Sequence, residues 1–170
     1  SILLFNIYIL NNQIFYLSKN QENIPDVTTH HKYNHSFKPK IINNIDKLNC
    51  DKNNIITLEN CLYTSFLWPF NIGHGLFDEL YPGYCALKKF NLHKNFNLLL
   101  SDNNLNKEHE LYSIIETMSS NKIIHLKDYN NKLIYVKKLC CGVKGMGQFT
   151  INREYTMYNK DNSLLDFRNQ

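Results

Sequence analysis

The chain has 170 residues, of which 43% are hydrophobic and 20% charged, and scattered lysines give it a net charge of +4 at pH 7. This composition is that of a globular domain with a substantial core, and it excludes an intrinsically disordered chain. Without a basic stripe interleaved with aromatic residues, the charge does not favour nucleic-acid binding.

The N-terminal residues predict a β-hairpin. Two β-prone runs, Asn6–Leu10 and Gln13–Leu17, flank Asn11 and Asn12, and asparagine tolerates the positive φ of a two-residue turn. The apolar start is about half the ~20 residues that a membrane-spanning helix needs, and no basic residue precedes it. We therefore predict no membrane segment or signal peptide in this chain. The start at Ser1 and the open polar end at residues 161–170 indicate a piece of a longer protein.

Residues 18–40 are polar, contain Pro25 and Pro39, and predict a solvated loop. Within them, His31 and His35 have the i,i+4 spacing of a helical metal pair. The flanking residues do not favour a helix, so no metal site is predicted. Asn34-His35-Ser36 is a lone N-glycosylation sequon, which permits a lumenal location without arguing for one.

The cysteines are odd in number and none has the CxxC spacing of a zinc or redox site: Cys50, Cys61, Cys85, Cys140 and Cys141. We interpret them as buried thiols, and one disulfide in an oxidising compartment is the alternative.

From Asn54 onward the pattern is α/β. It predicts strands at 55–58, 96–100, 122–126 and 133–136, and helices at 72–90 and 107–119. Short connections between strand and helix predict right-handed βαβ units in a Rossmann-like, largely parallel sheet with flanking helices. Sites in such sheets open at the carboxyl ends of the strands, where Ser101-Asp102 and Lys127-Asp128 are expected.

Residues that can act as acids, bases or hydrogen-bonding groups concentrate at one predicted helix N-terminus. Asn71 is a good N-cap, and Gly73 and Gly75 allow close approach of backbone or ligand. His74 then falls in the first turn, where the helix dipole disfavours the imidazolium by about 0.3–1 kcal/mol. A neutral imidazole is what a general base needs, and Asp78 at i+4 is placed to orient its ring.

The residues after Asp78 predict where this helix bends or ends and which face packs against the sheet. Pro82 lacks the amide that would bond back to Asp78, so the helix should kink or end its first segment there. Glu79 is expected about a quarter turn from Asp78. An apolar stripe should press the helix onto the sheet: Leu76, Leu80, Tyr84 and Leu87. The alternative interpretation is a capped helix in which His74 only bonds a neighbouring carbonyl.

Asn71, His74, Asp78, Leu80 and Pro82, with the order of elements that follows them, resemble the first half of the family 61 glycosyltransferases over about residues 54–145. That family includes protein O-linked N-acetylglucosamine transferases and plant xylan transferases. The resemblance implies the first half of a GT-B architecture and inverting transfer from a nucleotide sugar to a hydroxyl of a protein or glycan acceptor. It implies no metal or other cofactor, and a location in the ER or Golgi lumen if the source is a eukaryote.

On that resemblance, His74 and Asp78 are the catalytic candidates, and Asn71, Gly73 and Glu79 the substrate-binding ones. The expected organisation is a hairpin and polar region at 1–50, an acceptor-side α/β domain at 51–150, and a linker at 151–170 toward a second domain. The glycines of residues 141–147 are interpreted as an ordinary loop after a strand.

Two other functions stay open from the sequence. One is a truncated, non-catalytic α/β module that folds or binds a partner without turnover. The other is a small hydrolase with Cys61 or Cys85 as nucleophile near His74, which would require that cysteine to be exposed and to have a lowered pKa.

Overall fold

The computed structural model describes residues 1–19, 27–30, 35–37, 39–66, 70–101, 105–119 and 121–141, and only the backbone of 27–30, 35–37, 74, 77 and 78. The strands are β1 Ile2–Leu10, β2 Gln13–Leu17, β3 Val27–His30, β4 His35–Phe37, β5 Lys40–Ile42, β6 Asp51–Thr64, β7 Asn97–Leu100, β8 Ile123–His125 and β9 Lys132–Cys141. The helices are α1 Ile72–His74, a π-helix at Gly75–Leu80, α2 Tyr81–Lys89 and α3 Glu110–Met118, with 3₁₀ turns at Ile45–Lys47 and Leu126–Tyr129.

The predicted N-terminal hairpin is confirmed. Strands β1 and β2 pair antiparallel with Leu10 opposite Gln13, and the turn residues Asn11 and Asn12 have φ of 49° and 62°. Both turn positions thus use the left-handed region that asparagine tolerates. Because β1 also pairs with β9, the hairpin belongs to the main sheet. The predicted domain boundaries at 50 and 150 stay predictions.

The main sheet is mixed and mostly parallel. Its seven strands have the order β5-β2-β1-β9-β6-β7-β8. The pairs β9-β6, β6-β7 and β7-β8 are parallel, as predicted, and β1 runs antiparallel to both of its neighbours. The α/β fold class and the parallel strands of the second half of the chain are therefore confirmed.

Two of the predicted strands are longer than the sequence suggested. The strand predicted at 55–58 spans Asp51–Thr64, and the strand predicted at 133–136 spans Lys132–Cys141. Charged residues hid these extensions because they lie on an exposed face, where Lys137 pairs with Glu59 across the two strands at 2.6 Å. An apolar run therefore marked only part of each strand.

The solvated loop predicted for residues 18–40 is wrong in part. β3 and β4 pair with each other in a separate two-stranded sheet, and β5 pairs with β2 at the edge of the main sheet. His31 and the sequon asparagine Asn34 lie outside the described residues.

The core lies on both faces of the sheet. On one face, α2 and α3 bury the cluster of Leu62, Leu80, Leu87, Leu98, Leu100, Leu111 and Ile115. On the other face, side chains of the hairpin meet those of the opposite end of the sheet in the cluster of Ile7, Ile14, Leu99, Ile124 and Leu126. The Nδ2 of Asn12 in the hairpin turn donates to the carbonyl of Ser101, just after β7, at 2.8 Å.

The predicted apolar helix faces are confirmed. Leu80, Tyr84 and Leu87 are buried and Leu76 is half-buried against the same cluster. α3 begins at Glu110, later than predicted, because His109 caps it: the Nδ1 of His109 accepts from the amide of Leu111 at 3.1 Å. Among the described residues, no helix is long and apolar enough to cross a membrane.

Candidate functional site

The helix that carries the predicted site begins where the sequence placed it. The carbonyl of Asn71 accepts the first helical hydrogen bond, from the amide of Gly75 at 2.9 Å. Asn71 therefore stands at the N-cap position, and its Oδ1 lies 3.3 Å from where a Cβ on Gly73 would be. The backbone of His74 falls in the first turn, as predicted. The side chains of His74 and Asp78 are outside the described part of the structure, so their hydrogen bond stays a prediction.

The two other glycines of this helix permit close packing. A Cβ at Gly75 would lie 2.2 Å from Cδ1 of Leu111 on α3, and a Cβ at Gly83 would lie 2.8 Å from Cδ2 of Leu62 on β6. Both distances are shorter than carbon atoms can approach. The predicted close approach at Gly75 is thus confirmed as an approach of the backbone to α3.

The helix predicted over 72–90 is present from Ile72 to Lys89, but it is not α-helical throughout, because Gly75–Leu80 forms a π-helix. In an α-helix, the Pro82 ring would clash with the carbonyl of Asp78, and a wider turn before the proline removes that clash. α2 then starts at Tyr81, with Pro82 in its first turn, where no amide is required. Helical structure continues through Pro82, and the change from π-helix to α-helix lies between Leu80 and Tyr81, so the break predicted at Pro82 is found as a change of helix type before it.

The π-helix changes the expected position of Glu79. Because a π turn closes over five residues, Glu79 comes one turn after His74 along the backbone, where an α-helix would have placed Asp78. Glu79 is 3% exposed, and its Oε2 accepts from the hydroxyl of Thr64 at 3.4 Å. A buried carboxylate needs such donors, so Glu79 points inward to the end of β6. Its predicted substrate-binding role stays a prediction.

Thr64, Glu79 and Ser101 form what we call the strand-end cluster. Both the amide and the Oγ of Ser101, just after β7, donate to the carbonyl of Thr64, at 3.1 and 3.3 Å. Beside them, the Oγ of Ser65 is buried with no hydrogen-bond partner among the described residues. The sequence pointed to Ser101 but missed Thr64 and Ser65. Their signal was a pair of neighbouring hydroxyl residues at the point where the apolar strand ends.

No set of described residues in this region could hold a metal ion, since no three His, Cys, Asp or Glu side chains of the described part of the chain converge. None of the five cysteines forms a disulfide; Cys61, Cys140 and Cys141 are buried, as predicted, whereas Cys50 and Cys85 are only half-buried. Burial raises the pKa of Cys61 to about 12, which removes it as the nucleophile of the hydrolase alternative. Cys85 is half-buried on α2.

No protein-family model matches the chain. No curated protein matches it either.

Proposed function

We propose that this chain is the acceptor-side half of an inverting glycosyltransferase, which transfers a sugar from a nucleotide-sugar donor to a hydroxyl of a protein or glycan acceptor. The observation that carries the proposal is the position of the helix that begins after Asn71 relative to the strands of the main sheet. It begins just after β6, the strand that lies between β7 and β9.

The strand order supports this assignment. The parallel strands β8-β7-β6-β9 have the order 3-2-1-4 that begins a dinucleotide-binding sheet. In such sheets, ligands bind in the crevice outside the carboxyl ends of the strands, where the direction of the connections reverses. That point is the boundary between β6 and β9, and the helix bearing His74 starts beside it.

In the proposed reaction, His74 takes the proton of the acceptor hydroxyl. The acceptor oxygen forms a bond to the anomeric carbon, while the bond from that carbon to the phosphate oxygen breaks and leaves its electron pair on the nucleoside diphosphate. A place in the first helical turn favours the neutral imidazole that this step needs. Asp78 is the proposed orienting residue for the ring, and the displacement requires no metal ion.

Glu79 has a supporting role in this account. Its carboxylate and the hydroxyl of Thr64 tie the π-helix to the end of β6. That link fixes the backbone of the preceding turn, which holds Asn71, Gly73 and His74. The nucleotide sugar is held mainly by a second domain in the family that the motif resembles.

The proposal is tested with the full-length protein and a panel of nucleotide sugars, by measuring release of nucleoside diphosphate with and without glycan and glycopeptide acceptors. We expect release that depends on one donor and on an acceptor, and that continues in the presence of EDTA. Absence of acceptor-dependent release from every donor of the panel would favour the non-catalytic module instead.

A further inference from the structure

Two histidines hold the first turn of α3. His109 is its N-cap residue, and the Nδ1 of His109 accepts a hydrogen bond from the amide of Leu111 at 3.1 Å. His125, the last residue of β8, contacts the next residue of the same turn. Its ring is parallel within 2° to the ring of Tyr112, and its Nε2 lies 3.3 Å from the Oη of Tyr112. One histidine therefore caps the helix, and the other joins the capped turn to the edge strand of the main sheet.

Both contacts favour a neutral imidazole. An imidazolium carries a proton on each ring nitrogen and only donates hydrogen bonds, so a protonated His109 could no longer accept from the amide of Leu111. The Nδ1 of His125 is buried and has no hydrogen-bond partner among the described residues. In the imidazolium form it would be a charged donor without an acceptor, which costs more free energy than a neutral group left unpaired.

The charges around His125 leave this preference in place. Burial lowers the pKa of His125 below its ordinary 6.5, Asp128 acts against burial, and Lys127 and Lys107 act with it. The ring is therefore neutral at pH 7 and takes up a proton only under acidic conditions. The other charged residues around the two histidines are Glu116 of α3, Lys122 and Lys132 in the groove beside the rings, and Glu108 and Glu110 on either side of His109.

The same turn of α3 supports the helix that carries His74. Leu111 lies between the two residues that the histidines contact and the cap itself, and it is fully buried. Its Cδ1 occupies the space that a Cβ on Gly75 would need. Because Gly75 directly follows His74, a shift of this turn away from β8 would remove the side chain that packs against the backbone of the candidate site.

We propose that His109 and His125 form a pH-sensitive latch, which holds the first turn of α3 against β8 while both imidazoles are neutral and releases it when they are protonated. Two protonation steps on one helical turn make the release steeper with pH than the titration of a single histidine. Acid then loosens the support of the Gly75 backbone. The latch goes beyond the proposed function, because it requires neither a sugar donor nor an acceptor.

The test is hydrogen–deuterium exchange of the full-length protein between about pH 7.5 and 5.0, read on the amides of α3 and corrected for the pH dependence of intrinsic exchange. We expect the protection of these amides to fall about tenfold. Each pH unit below the ordinary pKa of histidine raises the open fraction by up to about tenfold for each histidine that is neutral in the closed form. The amides of β9, which is paired on both sides, should keep their protection and serve as the internal reference.

Variants separate the latch from a general sensitivity to acid. His109→Asn keeps a helix cap that does not titrate, and His125→Gln keeps a neutral polar side chain beside Tyr112. Each should reduce the pH dependence of exchange in α3, and the double variant should abolish it. His93→Gln, in the loop after α2, is the matched control and should leave it unchanged.

Three results would overturn the latch. The first is protection of α3 that does not change with pH in the parent protein. The second is an unchanged pH dependence in the double variant. The third is an equal loss of protection in β9, because it would show that acid unfolds the whole sheet and does not release one helical turn.

Discussion

The hydroxyl of Thr64 donates a hydrogen bond to the carboxylate of Glu79, and both residues are almost completely buried, with exposed fractions of 2% and 3%. This bond joins the last residue of β6 to the π-helix that follows His74. It explains how a turn wider than an α-helical one keeps a defined position on the sheet. Without such a donor, a buried carboxylate would destabilise the fold.

Replacement of Thr64 by valine keeps the shape of the side chain and removes that donor. We expect Thr64→Val to lower the free energy of unfolding by about 1–3 kcal/mol, because a buried carboxylate oxygen loses a hydrogen bond. Urea denaturation measures the change. The control is Thr117→Val on α3, whose exposed hydroxyl bonds to the carbonyl of Ile114. A loss at Thr64 no larger than that at Thr117 would contradict the structural role of the bond.

The glycines of the first helical segment differ in what surrounds them. Gly75→Ala should destabilise the protein by about 1–3 kcal/mol, because its Cβ would overlap the fully buried Leu111. Gly73→Ala is the matched control. At Gly73, the atom nearest to an added Cβ is the Oδ1 of Asn71 at 3.3 Å, and alanine is a better helix former than glycine by about 1 kcal/mol. Gly73→Ala should therefore not lower the free energy of unfolding.

Thermal or urea unfolding distinguishes the two glycines. The variant Gly75→Ala/Leu111→Ala should show a smaller combined loss than the sum of the two single changes, since the overlap is removed. Additive losses would show that Gly75 does not pack against Leu111.

The first helix shows which features of this fold can be read from sequence. Its start at Asn71 and its apolar stripe follow from short-range rules of capping and periodicity. Proline geometry predicts a disturbance before Pro82 but not its form, because a kink, a helix end or a wider turn would each avoid the clash with the carbonyl of Asp78, and the structure has a π-helix at Gly75–Leu80. The inward position of Glu79 follows from the π-helix and was therefore also missed.

In the strands too, features set by nearby residues could be predicted from the sequence, and features set by pairing between distant residues could not. The hairpin was predictable because Asn11 and Asn12 carry the turn signal themselves. The lengths of β6 and β9 were not, since pairs such as Glu59 and Lys137 become strand residues only when the two strands meet. The meeting of Tyr112 of α3 with His125 of β8, whose Oη and Nε2 lie 3.3 Å apart, is likewise connected by no local pattern.

The stability of the fold should depend on pH through His125. Burial, aided by Lys127 and Lys107 and opposed by Asp128, places its folded-state pKa below the ordinary 6.5. The imidazole of His125 therefore binds a proton more tightly in the unfolded state than in the folded state. Its neutral form contributes fully to the free energy of unfolding above pH 6.5, the ordinary pKa, and this contribution is lost as the pH falls through the folded-state pKa. His125→Gln should show a smaller loss of stability than the parent between about pH 7.5 and 5.5. Equal losses in the two proteins would contradict this assignment.

Thiol labelling should separate the cysteines into two classes. Burial raises the pKa of Cys61 and of Cys140 to about 12, and that of Cys141 is raised as well. Under native conditions, iodoacetamide should modify the half-buried Cys50 and Cys85 first. Mass spectrometry of peptides identifies the modified sites. Rapid native labelling of Cys61 would contradict its burial and restore it as a candidate nucleophile.

The proposed role of His74 as the base of a sugar transfer is tested by comparing the rate of transfer of the full-length protein with that of its His74→Ala variant. His109→Asn is the control, because asparagine replaces His109 as a helix cap. We predict that His74→Ala folds normally and transfers no sugar, while His109→Asn retains the parent rate. Undiminished transfer by a folded His74→Ala protein would contradict the claim.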